Sequence, residues 1–176
     1  MTQDALREAG IGRYGTLPTE KIVFSEEIRR ICETNTCRLY GSSWACPPAV
    51  GSVAQCRERC LQYRKAMVFS AAYPLADSFD YEGMKAGHAA FKTVCDRLCA
   101  LAKDAYPQFL LLGNEGCSRC RTCTYPAAPC RMPEMLFPSL EGYGIQVNEL
   151  AGAAGIPYCS GPDTVTYFGM LLFDRR

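Results

Sequence analysis

Apolar positions along the chain fall into a few stretches of clear period, separated by irregular polar runs. Residues 66–73, Ala-Met-Val-Phe-Ser-Ala-Ala-Tyr, are apolar almost without a break, the pattern of a strand covered on both faces, and Pro74 closes the run. Residues 164–173 are β-branched and aromatic, which predicts a central strand. Residues 109–112 (Phe-Leu-Leu-Leu) predict a short apolar strand, and residues 21–24 (Lys-Ile-Val-Phe) predict another.

Helical spacing takes over elsewhere. Met84, His88, Phe91, Cys95, Leu98 and Ala102 trace one stripe of a long helix running to about Tyr106, which Pro107 stops. Val53, Cys56, Cys60 and Tyr63 share a face behind Ser52 and Gln55, a capping-box pair. Ser25 before Glu26 and Glu27 predicts a helix start, with Ile28, Ile31 and Cys32 on one face. Ser139 predicts a further helix with Leu140, Tyr143, Val147, Leu150 and Ala154 inward and Gly155 as its stop. Residues 1–20 read as a short helix and a loop at the periphery.

Strand, helix and strand between residues 66 and 112 make a crossover unit, expected to be right-handed with its two strands parallel. The pattern therefore predicts one α/β (or α+β) domain over residues 1–176, a small mixed sheet flanked by three to four helices with cysteine-rich loops between them.

Composition changes the picture at one point: 12 cysteines stand against a single histidine in 176 residues. A chain of this length buries a core without staples, so disulfides are not structurally required. No signal-peptide-like run opens the sequence and none is long enough to span a membrane, so a cytoplasmic, reducing setting is expected. There, unpaired cysteines are ligands, nucleophiles or core residues. With 19 basic and 18 acidic residues the formal charge is +1, which gives no electrostatic case for nucleic acid or an acidic membrane surface.

The candidate chemistry centres on the stretch 116–133. Cys117, Cys120 and Cys123 follow one another at two-residue separations, and Cys130 comes seven positions later, with Pro133 close behind. Consecutive C-x-x-C steps bring three sulfurs to one centre with the intervening amides turned inward, the ferredoxin-type grip on a [4Fe-4S] cluster. The six residues between Cys123 and Cys130 depart from the bacterial ferredoxin run, so Cys130 need not serve the same metal. Zinc is the alternative, although all-cysteine zinc sites usually unite two separated pairs. Arg119, Arg121 and Arg131 are interleaved with the thiols, where they would stabilise a reduced cluster, bind an anionic substrate or stay solvated.

A second loop carries Cys32, Cys37 and Cys46, the last followed by Pro47 and Pro48, with no helical or strand period. It predicts a second metal or cluster site, with core packing or an isolated reactive thiol as the alternatives, and Trp44 as a core anchor or a lid over sulfur. Cys159, in the turn-rich segment 156–162, is a candidate further ligand to the three-cysteine loop. Cys56, Cys60, Cys95 and Cys99 lie on helix faces and read as core, and His88 as a satisfied core or interface residue.

Together, the loop Cys32, Cys37, Tyr40-Gly41, Trp44, Cys46-Pro47-Pro48, the loop Cys117 to Pro133 and the tail Thr166-Tyr167-x-Gly169 resemble a cysteine-rich prokaryotic family of predicted metal-binding proteins of unknown function. The resemblance runs from about residue 25 onward and implies a soluble, intracellular, one-domain module without naming a reaction.

The function expected is that of an iron–sulfur protein. It would hold one cluster on Cys117, Cys120, Cys123 and Cys130 and part of a second on Cys32, Cys37 and Cys46. Four cysteines at both sites would suit electron transfer to a redox partner protein. Three at the second would leave an iron open to a small-molecule substrate, in a reductase or sulfur-handling enzyme. The alternative class is a zinc-binding structural or interaction module.

Overall fold

A computed structural model describes residues 1–114 and 116–175. Two long strands, β2 (Tyr63–Pro74) and β4 (Thr164–Arg175), pair antiparallel at the centre of a four-stranded sheet. Strand β1 (Arg13–Pro18) joins the free edge of β2, and β3 (Leu110–Leu112) that of β4. The order is β1-β2-β4-β3, and every ladder is antiparallel.

The near-continuous hydrophobicity of β2 and β4 has a plain cause: both faces of the sheet are covered. Met67, Phe69, Leu111 and Leu171 pack with Phe91, Cys95 and Leu98 of the long helix α1 (Tyr81–Ala105) on one side. On the other, Ala66, Val68, Met170 and Leu172 pack with Cys56 and Cys60 of α2 (Val53–Leu61) and Leu150 of α3 (Val147–Ala153). Two shorter helices, α4 (Gln3–Glu8) and α5 (Glu26–Glu33), complete the flanks. Gly15 of β1 fits because a side chain there would strike the backbone carbonyl of Ala154, at the end of α3.

The crossover forms as β2, α1 and β3. Since β2 and β3 both run antiparallel to β4, they point the same way, but β4 lies between them. Its closing position in the sequence and central position in the sheet make the ladders antiparallel rather than mixed.

Three local expectations are corrected. Residues 21–24 do not form a strand: Thr19–Lys21 is a 3-10 turn, and Phe24 makes only an isolated bridge to Ile145. The strand lies earlier, at β1, where Leu17 is its one fully buried apolar residue. In α5, Ile31 is 61% exposed and Arg29 turns inward instead, donating to the Gly51 carbonyl at 2.7 Å and to Cys56 Sγ at 3.5 Å. The helix expected from Ser139 is broken. Glu141–Tyr143 form a 3-10 turn, Gly144 adopts a left-handed φ of 75°, and α3 starts only at Val147. A Cβ on Gly144 would meet the Ser25 carbonyl and Val53, and the Gly144 carbonyl accepts from Ser25 N at 2.7 Å, so packing against α5 fixes the break.

Among the described residues, no helix is long and apolar enough to cross a membrane.

Candidate metal centre

The chain leaves α5 into a run of turns. Asn35, Arg38 and Gly41 have φ of 54°, 60° and 66°, and each reverses the backbone locally. Asn35 Oδ1 accepts from Tyr40 N at 3.0 Å, and Pro47 O accepts from Gly41 N at 2.8 Å. These bonds fold residues 32–47 into a cup. Cys32, Cys37 and Cys46 line one open cavity of about 400 Å³, together with Thr36, Tyr40, Ser139 and Glu141. Among the described residues, these are the cavity's only cysteines, and Glu141 is its only carboxylate.

The second loop leaves from the end of β3. Gly113 N donates to Pro138 O at 2.9 Å, and Leu140 N donates to Gly113 O at 3.1 Å, which ties the loop's two ends together. Helix α1 then staples it. Lys92 Nζ donates to the Gly116 carbonyl at 3.0 Å and to Ser118 Oγ at 3.1 Å, and Arg119 forms an ion pair with Asp96. Cys117, Cys120, Cys123 and Cys130 all line one small hollow, with Trp44, Arg119, Arg131 and Leu136 around them. Two backbone amides point at sulfur: Tyr125 N to Cys123 Sγ at 3.5 Å and Met132 N to Cys130 Sγ at 3.4 Å. Trp44 closes the hollow, its indole N–H donating to Ala128 O at 3.1 Å and its ring standing edge-on to Tyr125.

The two sites adjoin. A Cβ on Gly116 would lie 2.9 Å from Cys46 Sγ, so the loop carrying Cys117 rests directly on the loop carrying Cys46. Burial pushes the Cys46 thiol up from its ordinary pKa, and neighbouring negative charge on Cys37 and Cys117 raises it further. Cys32 is likewise raised by burial; Arg29 opposes this, and Glu141 adds to it.

Seven of the eight cysteines singled out from sequence thus gather at two adjoining cavities. Cys159 does not: it is exposed and lines neither. Arg119 and Arg131 reach the four-thiol hollow, whereas Arg121 is exposed and lines neither cavity. Arg131 is held by the Thr122 carbonyl at 3.0 Å. His88 also lies elsewhere, its ring centroid 5.6 Å from that of Tyr167. Cys56, Cys60, Cys95 and Cys99 are at most 2% exposed and belong to the core, as their helical spacing predicts. Burial pushes the thiols of Cys60 and Cys95 up to about 12.

Soft thiolates select zinc, copper(I) or iron–sulfur clusters over hard cations, and this donor set fits that class of group. Among the described residues, no three His, Cys, Asp or Glu side chains converge closely enough to hold a single ion. A family model described as predicted metal-binding protein (DUF2284) matches residues 15–173. The chain belongs to that family. In this DUF2284 chain all seven clustered cysteines, and Glu141 with them, fall inside the matched span. No curated protein and no solved structure matches the chain.

Glu141, Lys92 and Asp96 are site residues that sequence reasoning missed. No local signal marks them, since each reaches a cysteine loop only through tertiary packing.

Proposed function

We propose that this protein is a cytoplasmic iron–sulfur redox enzyme with two cluster sites of different character. Cys117, Cys120, Cys123 and Cys130 would close one [4Fe-4S] cluster and exchange electrons with a redox partner protein. Cys32, Cys37 and Cys46 would hold a second at the wider cavity, where a small-molecule substrate has room to bind. Bound there, the group would supply a one-electron couple and an iron not fully committed to thiolate.

The observation that carries this reading is the split of seven thiols into four around one hollow and three around the other. The chain's own residues do the remaining work. The amides of Tyr125 and Met132 stabilise charge on sulfur, Trp44 excludes water from one side, and the Arg119–Asp96 pair holds the loop on α1.

One observation favours zinc at the four-thiol site: its hollow measures about 20 Å³, little more than one water-sized sphere needs. Zinc there would make the loop structural. Anaerobic purification separates the two readings: a brown protein with broad visible absorption and acid-labile sulfide is expected, and a colourless protein with stoichiometric zinc defeats the proposal. Cys120→Ser should remove the iron of one whole cluster and Cys37→Ser that of the other, whereas Cys99→Ser should leave iron content unchanged. Equal losses in all three variants would overturn the assignment of ligands.

A further inference from the structure

We propose that Glu141 supplies the fourth ligand to the cluster on Cys32, Cys37 and Cys46, so that one iron is held by a carboxylate a substrate can displace. This rests on the cluster reading of that cavity.

Among the described residues, the cavity is lined by three thiols and one carboxylate, that of Glu141. Its backbone has little freedom. Leu140 before it and Tyr143 after it are 1% and 3% exposed, and the Ser139 hydroxyl accepts from Gly142 N at 2.9 Å. The bond from Ser25 N to the Gly144 carbonyl locks this turn to the start of α5, the helix that carries Cys32. Glu141 and Cys32 therefore face each other across a rigid joint. The other polar side chains on this wall, Thr36, Tyr40 and Ser139, offer hydroxyl oxygens rather than a carboxylate.

A carboxylate is a harder and weaker partner for cluster iron than a thiolate. An incoming thiolate, carboxylate or hydroxyl could replace it by simple exchange, the Glu141 carboxylate leaving as the anion. The site iron should also be the first lost on oxidation. With ferricyanide as the electron acceptor the balance is [4Fe-4S]2+ → [3Fe-4S]+ + Fe2+ + e−.

The test follows iron release and the three-iron EPR signal after ferricyanide is added to anaerobically reconstituted protein in the presence of a chelator. The wild type should lose a single iron and gain the signal. Glu141→Gln, which keeps the shape of the side chain, should lose it roughly tenfold faster, the lower end of the usual cost of perturbing a metal's surroundings. Glu141→Cys should keep it. Identical release in all three proteins overturns the assignment of Glu141. If Cys37→Ser leaves the initial iron content unchanged, there is no cluster at this cavity, and the underlying reading fails together with the inference.

Discussion

Cysteines on the helix faces serve here as packing atoms, and those on the two loops are the candidate metal ligands. At Cys60 and Cys95, burial raises the thiol pKa from 9.0 to about 12, so at neutral pH both remain protonated and behave as small apolar groups. Cys37 and Cys159 stand exposed. Alkylation requires the thiolate. In metal-free protein at mildly alkaline pH, Cys60 and Cys95 should therefore react roughly a thousandfold more slowly than an ordinary thiol, one factor of ten for each pKa unit. Cys37 and Cys159 should be modified first, and the rate at Cys60 should jump on unfolding; peptide mass spectrometry reads both. Early labelling of Cys60 in folded protein would contradict its placement in the core. Part of this division was legible beforehand, because helical period marks the core thiols and C-x-x-C spacing marks three of the thiols that line the smaller hollow. Cys159 illustrates the limit of spacing: it sits in a turn-rich segment, as a ligand would, yet tertiary structure takes it to neither cavity. Glu141 illustrates the opposite limit, since it lies 95 positions beyond Cys46 and only the packing of its turn on α5 brings it to the site.

Among the elements, those with strong internal signals were the ones the sequence revealed. Helix α2 begins with the reciprocal pair expected of Ser52 and Gln55: Gln55 N donates to Ser52 Oγ at 3.2 Å and Ser52 N to Gln55 Oε1 at 2.9 Å. Ser52→Ala should lower stability by about 1 kcal/mol, the usual worth of such a cap, seen as a lower urea midpoint with an unchanged slope. A change below a few tenths of that would mean that α2 is held by packing of Cys56 and Cys60 alone. Strands β2 and β4 were legible for a similar reason, because burial on both faces leaves an uninterrupted apolar run. Edge strand β1 has no such run; it reads Arg-Tyr-Gly-Thr-Leu-Pro and is recognisable only from its pairing with β2. The segment after Ser139 failed the other way. Its apolar residues keep helical spacing, but Gly144 turns left-handed against Ser25 and Val53, and the break depends on contacts 119 and 91 residues away in sequence.

At the scale of the whole molecule, the architecture brings two cysteine-lined cavities together on one sheet-and-helix body. One loop springs from β3 and is pinned to α1 through Lys92 and Asp96; the other springs from α5 and is pinned through Trp44 to the first. Their nearest approach is at Gly116, which has no side chain to separate Cys46 from Cys117. Because the two loops touch there, charge placed on a cluster at either site should be felt at the other. Two consequences follow when both sites are loaded and reduced. Their unpaired spins should interact, giving a spectrum broader than the sum of those from Cys120→Ser and Cys37→Ser, each of which keeps one cluster. The second electron should also enter at a lower potential than the first, because like charges at short range repel. A low-temperature EPR titration measures both effects in one series. Spectra that add without broadening, together with two potentials unaffected by loss of the neighbouring cluster, would mean that the sites are too far apart to act as one relay, and electrons would then have to reach the substrate cavity directly from the partner.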